Sequence, residues 1–544
     1  MDSSMLKISI DDKTVRAGKG ASLLEAMVAA GLLLRADCGG RGRCGKCLVR
    51  VASADAGGLS APDESERRFL GDGRLSTGHR LACRAVVYGT VSVQVPAESR
   101  LAPEVVQKGL PTLLSLPAAR LRPPDSAWGI AVDVGTTTVA VYLCDRQQRV
   151  VAASTSIRNP QAIFGDDVIS RISAVRLDPG SLPRLQSMTV SAIDWAVSAL
   201  CRQAGIDPRA IGAAVAVGNS TMIHLLLGEN PSSIGVFPYA PGFIEARSVS
   251  AGAVGLKFNP GARLRTLPLI SGYLGADIVS AALAADLARR ACGTMLVDVG
   301  TNGEIIMLAD AGLSATSCAT GPAFEGAAIS HGMQASSGAI DAVRFNPQAG
   351  NLDVTVVQRG DGPPPRPAGI CGSGIISTVA ELLRAGIISK SGRFNPDADS
   401  ACLRPGANGA AEFEIVPAGA SQTGRPITLT QADVRAVQLA KGALRTGIDL
   451  LCRENNLPRP ARILLAGAFG SYIDKTAALA IGMFPALPES AIEVVGNAAG
   501  AGAILALFDD DCVSRSKTLA QTTRVVDLAA HPDFQNTFIQ SLSF

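Results

Sequence analysis

At 544 residues, 47% of them hydrophobic but only 4% aromatic, the chain is too long for one core and predicts several domains built on Ala, Leu, Val and Ile. Fifty Lys and Arg against 47 Asp and Glu leave a formal charge of +3 with no basic block interleaved with aromatics, which excludes nucleic acid as an expected partner. The longest apolar run, AAGAGAILALF at 498–508, is far short of a bilayer span, and MDSSMLKISIDDKTV is no signal peptide, so a cytoplasmic protein with no membrane partner is expected.

The chain opens with MLKISIDDKTVRAG, which alternates as a two-stranded hairpin, and SLLEAMVAAGLLL follows as a helix with Ser22 as its N-cap. CLVRVAS then reads as a strand, APDESERRFL as a short helix and RLACRAVVYGTVSVQVP as a closing strand pair, giving a small sheet crossed by a helix over residues 1–96. Between the first helix and the next strand stands DCGGRGRCGKC, residues 37–47. Cys38, Cys44 and Cys47 share this loop and Cys83 stands alone further on, the spacing of three thiolates in one loop and a remote fourth that ligates a [2Fe–2S] cluster. Gly39, Gly40, Gly42 and Gly45 let the backbone turn its N–H groups towards the sulfides, and Arg41, Arg43 and Lys46 offset the cluster's negative charge. Zinc, the alternative, normally takes two paired CxxC or Cys/His elements, and one such pair is present. The other eight of the twelve cysteines are scattered and read as small buried apolar residues.

Residues 97–127 include Pro103, Pro111, Pro117, Pro123 and Pro124 with little periodicity, a linker long enough to let the first domain move. Beyond it, WGIAVDVGTTTVAVYL at 128–143 is an apolar strand, a Gly/Thr turn and a second strand, and GTMLVDVGTNGEIIML at 293–308 repeats the phrase. After the first hairpin come a strand VVAASTSI, a helix over 167–202, the strand AAVAVGN, another helix, a strand LPLI and the helix beginning GYLGADIVSAAL. After the second come SATSCATG, a helical segment, an insertion at about 334–427, the helix LTQADVRAVQLAKGALRTGIDLL, the strand RILLAGAFG, a helix, the strand EVVGN and AAGAGAILAL. Two βββαβαβα units in tandem are expected, one over 128–291, of which 128–208 could stand apart as a middle domain, and one over 292–544.

A tight Gly/Thr turn presents successive backbone N–H groups and hydroxyls, a cradle for phosphate oxygens. Gly135, Thr136, Thr137 and Thr138 in the first copy and Gly300, Thr301, Asn302 and Gly303 in the second are therefore expected to bind ATP. Gly467 and Gly470, in the late turn AGAFGSY, are expected to approach its adenosine. Asp133 and Asp298, each ending its first strand, suit Mg²⁺ held through water. Glu304, Asp277 and Glu325 are candidates for binding Mg²⁺ or orienting water, against an ordinary capping or hydrogen-bonding role. His224 and His331 read as core or cleft residues.

The N-terminal segment resembles [2Fe–2S] ferredoxins, with five residues between the first two cysteines as in the adrenodoxin-like branch. The body resembles the acetate and sugar kinase/Hsp70/actin (ASKHA) superfamily. At finer grain the chain resembles the reductive activators of corrinoid-dependent enzymes, through NPQAIFGDDVISRI (159–172), AVGNSTMIHLLLG (216–228), ISGYLGAD (270–277), ATGPAFEGAAISHGM (319–333), GICGSGIISTVAELLRAGII (369–388), LTQADVRAVQLAKGAL (429–444) and GAFGSYID (467–474). The resemblance implies an α/β multidomain protein: a β-grasp ferredoxin-like α+β domain, then a duplicated ribonuclease-H-like ATPase of the actin/Hsp70 type. It implies an ATP-hydrolysing oxidoreductase that returns one electron to a corrinoid protein of a methyltransferase system, converting Co(II) to Co(I). It also implies an upstream flavin or NAD(P)H-dependent reductase and a homodimer. The rival readings are a small-molecule kinase with a regulatory ferredoxin domain and a nucleotide-gated, redox-sensing binding protein.

Overall fold

A computed structural model describes the chain except residues 1–4, 12, 31, 37–39, 41, 43–44, 97–98, 101–125, 301, 327–328, 359–361, 399, 407–408 and 468–472. The first domain is a five-stranded sheet, β1 (Met5–Ile10), β2 (Lys13–Gly18), β3 (Leu48–Ala54), β4 (His79–Leu81) and β5 (Val91–Gln94), in the order β2-β1-β5-β3-β4. The alternation of β1 puts Ile8 and Ile10 inward, against Leu23, Leu24 and Met27 of helix α1 (Leu23–Ala29). Ser22 caps α1, accepting from the Glu25 N–H at 3.1 Å. The segment expected as a closing strand pair is not a pair: β5 runs parallel to β1 in the middle of the sheet, and β3 separates it from β4. Helix α2 (Glu64–Ser76) starts on a capping box of Asp63 and Glu66 and kinks at Gly71. Glu66 is fully buried and takes a bidentate ion pair from Arg80, both bonds 2.8 Å, plus the Leu81 N–H at 2.9 Å. That pair clamps α2 to β4, two residues before Cys83.

The body holds two sheets of matching topology. In the first, β6 (Trp128–Val134), β7 (Thr138–Asp145), β8 (Val150–Arg158), β9 (Ile211–Val217), β10 (Ser248–Ser250) and β11 (Arg263–Thr266) run in the order β10-β11-β9-β6-β7-β8. In the second, β12 (Thr294–Val299), β13 (Gly303–Ala309) and β14 (Gly312–Cys318) play the parts of β6, β7 and β8. Strands Arg462–Ala466 and Ile492–Gly496 there play the parts of β9 and β11. In both, the hairpin strands are antiparallel and the two later strands join in parallel, as crossover helices require. The first sheet continues past residue 208, since β9 pairs with β6, so 128–208 has no sheet of its own.

Two expected elements differ. The helix expected over 167–202 is two helices, α3 (Val168–Leu177) and α4 (Ser181–Ala204), broken at Asp178-Pro179-Gly180 because proline disfavours helical backbone before it. LPLI is not a strand; the strand is β11, one step earlier, and Leu267 and Leu269 are buried in the passage that leads to helix α6 (Ala276–Ala284). Pro268 has no N–H for a ladder. The insertion carries the sheets Ala339–Asn346/Asn351–Val356/Gly369–Ile370 and Leu403–Pro405/Ala411–Val416/Ile427–Thr430, with helix Gly372–Arg384 between them.

The units meet where α6 crosses helix Ala498–Phe508, an Ala/Gly-rich and fully buried element. Ser280 Oγ donates to Ala499 O at 2.6 Å, so the two backbones are nearly in contact. The first domain is seated on the first unit: Met188 of α4 is wholly buried in the ferredoxin-side core, and Arg184 forms an ion pair with Glu25. Most of the expected linker, residues 101–125, lies outside the described residues; Arg100, within it, pairs with Asp11 at 2.9 Å. Among the described residues no helix is long and apolar enough to cross a membrane.

Candidate functional site

Two of the four expected cluster cysteines, Cys38 and Cys44, lie outside the described residues. The other two are brought together: the Ala82 N–H donates to Cys47 O at 2.8 Å, which sets Cys83 beside Cys47. A Cβ built on Gly40 would lie 3.9 Å from Cys83 Cβ, so Gly40 lies against the remote cysteine. Cys47 is buried and Cys83 half-buried. The thiol donor set fits a [2Fe–2S] cluster, which Cys47 and Cys83 would hold from this side. Cys452, by contrast, sits in the core of the second unit.

The second site is built by the two hairpins. The first turns tightly at Gly135, whose N–H donates to Thr138 O at 3.0 Å; a Cβ there would lie 2.5 Å from the same oxygen, so only glycine fits. Three buried side chains hold this turn. Asn159 Nδ2 donates to Gly135 O at 2.9 Å, Arg171 donates to Thr136 O at 2.6 Å, and Asn219 Nδ2 donates to Thr136 Oγ1 at 2.8 Å. Thr138 begins β7. The second turn is looser: the Gly300 N–H donates to Asn302 O at 3.1 Å and Gly303 opens β13, while Thr301 lies outside the described residues. Gly467 follows strand Arg462–Ala466 at φ +93°, and a Cβ on it would lie 2.5 Å from Asp298 Oδ1. Gly470 lies outside the described residues.

Asp133 ends β6, buried, and accepts from Asn497 Nδ2 at 2.9 Å; the same amide reaches Tyr142 Oη at 3.0 Å. Asn497 caps helix Ala498–Phe508, so the N-terminus of a helix of the second unit touches the first unit's aspartate. Asp298 stands directly across the ladder from Glu304, which is also buried. Asp277, in the first turn of α6, completes the group. Burial, then the charges of Asp298 and Asp133, push the Asp277 carboxyl up to about 7. Burial, then Asp277 and Asp298, hold Glu304 well above the usual carboxylate range. Four carboxylates in one cleft, of which Asp277 and Glu304 hold their protons more tightly than usual, suit a divalent cation. Among the described residues no three His, Cys, Asp or Glu side chains are grouped closely enough to chelate a metal ion directly. Thr137 Oγ1 donates to Glu325 Oε2 at 2.6 Å, a contact that bridges the two units.

His224 is structural. Its Nδ1 lies 2.7 Å from Ser220 O, its Nε2 accepts from the Gly242 N–H at 3.0 Å, and its ring stacks on Phe243 at 4.3 Å. His331 contacts Thr428 Oγ1 at 3.4 Å, away from the carboxylates. Asn159, Arg171, Asn219 and Asn497 are site residues that the hairpin motif alone does not mark. One signal was available for the last two: VGN occurs at 217–219 and 495–497, each time at a strand end that becomes a helix cap.

Family models match along most of the chain: the 2Fe-2S iron-sulfur cluster binding domain over residues 7–88, the RACo middle region over 128–290, and the C-terminal ASKHA domain of RACo over 293–544. The corrinoid activation enzyme RamQ of Eubacterium limosum is 36% identical over 77% of this chain and 70% of its own length. The [Co(II) methylated amine-specific corrinoid protein] reductase of Methanosarcina barkeri is 24% identical over 77% of each chain. Among solved structures, a reductive activator for corrinoid, iron-sulfur protein superposes with a TM-score of 0.71 at 28% identity, covering 99% of this chain and 98% of its own. With Gly40 of the cysteine loop against Cys83, a duplicated hairpin site and these relatives spanning the same three regions, the chain belongs to the RACo family of reductive activators of corrinoid proteins.

Proposed function

We propose that this chain uses ATP to drive one-electron reduction of a corrinoid protein, returning Co(II) to the Co(I) state that accepts methyl groups. The observation that carries the reading is the seating of a cluster-binding domain, on the same polypeptide, against the unit that holds the Gly135–Thr137 turn and Asp133. A [2Fe–2S] centre, when bound, supplies a single electron at about −400 mV. The cobalt couple generally lies lower, so transfer is uphill, and each 59 mV or so of mismatch cuts the Co(I) fraction tenfold.

The chain's residues supply the means to shift that balance. Asp133 and Asp298, on opposing hairpins, hold Mg²⁺ through water, with Glu304 and Asp277 behind them. Gly135, Thr136, Thr137 and Thr138 and the second turn at Gly300–Gly303 direct N–H groups and hydroxyls at phosphate oxygens. Gly467, packed against Asp298, keeps that part of the cleft free of a side chain, and Gly470 is assigned to the adenosine from the sequence motif. The Thr137–Glu325 bond ties the units together at the turn, so occupancy of the cleft changes their relative setting and with it the surface offered to the corrinoid protein. A flavin or NAD(P)H-dependent reductase feeds the first domain, and two copies of the chain act together as a homodimer.

The test mixes the reduced protein, Mg-ATP and Co(II) corrinoid proteins of several methyltransferase systems. The Co(I) spectrum appears with one of them and falls at least tenfold without ATP. A phosphorylated small molecule with unchanged cobalt would establish the kinase reading instead.

A further inference from the structure

Arg171 is the largest fully buried side chain among the described residues, and its hydrogen bonds go to backbone oxygens, a side-chain amide and a thioether rather than to a carboxylate. Its guanidinium is shared among Thr136 O at 2.6 Å, Gly165 O at 3.3 Å, Gln161 Oε1 at 3.0 Å and Met222 Sδ at 3.1 Å. A buried cation costs several kcal/mol in desolvation, offset here by the converging acceptors and by the charges of Asp166, Asp167 and Glu325 nearby. An apolar residue would fill the space without that cost, so the arrangement calls for a role beyond packing.

The bonds lead in two directions. One is the nucleotide turn, through Thr136 O. The other is the seat of the first domain. Gln161, itself fully buried, receives Arg171 on Oε1 and donates through Nε2 to Leu185 O of α4 at 2.9 Å. On either side of Leu185 stand Arg184, paired with Glu25, and Met188, buried in the ferredoxin-side core. A parallel connection runs along the chain. Asn159 clamps Gly135 O and donates its own N–H to Thr137 O at 2.8 Å. Four and five residues later, Ile163 and Phe164 pack on the first domain, with the Arg184 guanidinium 5.1 Å above the Phe164 ring. A Cβ on Gly40, in the cysteine loop, would lie 3.3 Å from Ile163 Cγ2. The phosphate turn and the cluster loop are thus joined by two short paths that meet in the Asn159–Phe164 segment.

We propose that Arg171 is a positioning residue that couples nucleotide binding at the Gly135–Thr137 turn to the docking of the [2Fe–2S] domain on Ile163, Phe164, Arg184 and Met188. The docked domain holds the Asn159–Phe164 segment, that segment pre-forms the turn, and a pre-formed turn binds nucleotide more tightly. Coupling free energies are reciprocal, so nucleotide must in turn tighten the docking, and loss of nucleotide must loosen it. The inference rests on the reading of the turn as an ATP site.

The experiment measures both ends on the full-length, cluster-loaded protein with Mg²⁺ and a non-hydrolysable ATP analogue. Calorimetry gives the analogue's affinity, and hydrogen exchange over residues 23–35 reports docking. In the wild type the analogue slows that exchange. Arg184→Glu places two negative groups at the seat, speeds the exchange and weakens the analogue roughly five-fold or more, the low end of typical couplings. The swap Glu25→Arg with Arg184→Glu restores both. Arg171→Lys keeps a positive charge but cannot hold Thr136 O and Gln161 Oε1 together. It leaves docking without nucleotide intact and abolishes the analogue's effect on exchange. If Arg171→Lys does not fold, the surface pair alone decides the matter. Equal analogue affinity in wild type, Arg184→Glu and the swap, with exchange indifferent to the analogue, overturns the coupling and leaves the ATP site standing. No binding of the analogue to any of the proteins overturns the ATP site and the coupling together.

Discussion

Asp277 shows how a residue that its motif marks as one candidate among several can set the chemistry of a site. Its phrase, ISGYLGAD, reads as a helix start, where an acidic residue is an ordinary complement to the helix dipole. Only the fold brings it against Asp298 and Asp133, and that crowding, added to burial, moves its carboxyl up to about 7 from an unfolded value of about 3.9. The folded chain therefore binds this proton more tightly than the unfolded chain does. The group's contribution to stability is full below about pH 4, falls as pH rises, and is lost above about pH 7, at up to about 1.4 kcal/mol per pH unit. Glu304 acts in the same direction. Asp277→Asn removes the titration, so without Mg²⁺ the variant gains on the wild type by about 1 to 3 kcal/mol between pH 5 and 8 in urea unfolding. Saturating Mg²⁺ at pH 8 closes much of that gap by stabilising the wild type more. A stability difference that is flat across pH would show that the four carboxylates do not share one field.

The two hairpins were the most legible elements in the sequence, because a repeated Asp-Val-Gly-Thr between apolar strands has few other uses. Their strands, their register and their place in matched sheets follow from that repeat and from the helices between. What the repeat conceals is that the turns are not equivalent. A Cβ on Gly135 would meet Thr138 O at 2.5 Å, whereas among the described residues one on Gly300 would meet only Asn302 O at 3.5 Å, an ordinary contact. Gly135→Ala is therefore expected to force the first turn open and weaken a non-hydrolysable ATP analogue at least ten-fold by calorimetry. Gly300→Ala is expected to change it less than three-fold, with both proteins retaining their thermal transitions. Equal losses would mean that the turns bear on the nucleotide alike. The break at Pro179 and the displaced strand before Pro268 were within reach of the same reading, since proline's missing N–H argues against both longer elements. The central place of β5 was not, because no local pattern says which strands are neighbours across a sheet.

At the scale of the whole molecule, the sequence suggested two machines on a tether, while the structure seats one on the other through Met188, Phe164 and the Glu25–Arg184 pair. The seat was illegible beforehand because Met188 and Phe164 look like core residues of their own unit, and partner surfaces made of single apolar side chains carry no periodicity. A seated domain and a covalent connection make separable contributions. The connection sets an effective concentration, commonly in the millimolar range for short spans, and the seat sets how much of that concentration is converted into occupancy. Cleavage of the folded protein at a protease site introduced between residues 101 and 125 removes the first contribution and leaves the second. Reduction of the Co(II) corrinoid protein by the cleaved material is then expected to match the intact protein at high micromolar concentration. On dilution it should fall steeply, while the intact protein's rate per molecule stays level. Adding the Arg184→Glu change to the cleaved protein removes the second contribution as well and shifts the fall to higher concentration. A rate per molecule indifferent to cleavage at nanomolar concentration would mean that the seat alone holds the two machines together, and a rate lost at every concentration would mean that the connecting segment itself takes part in the transfer.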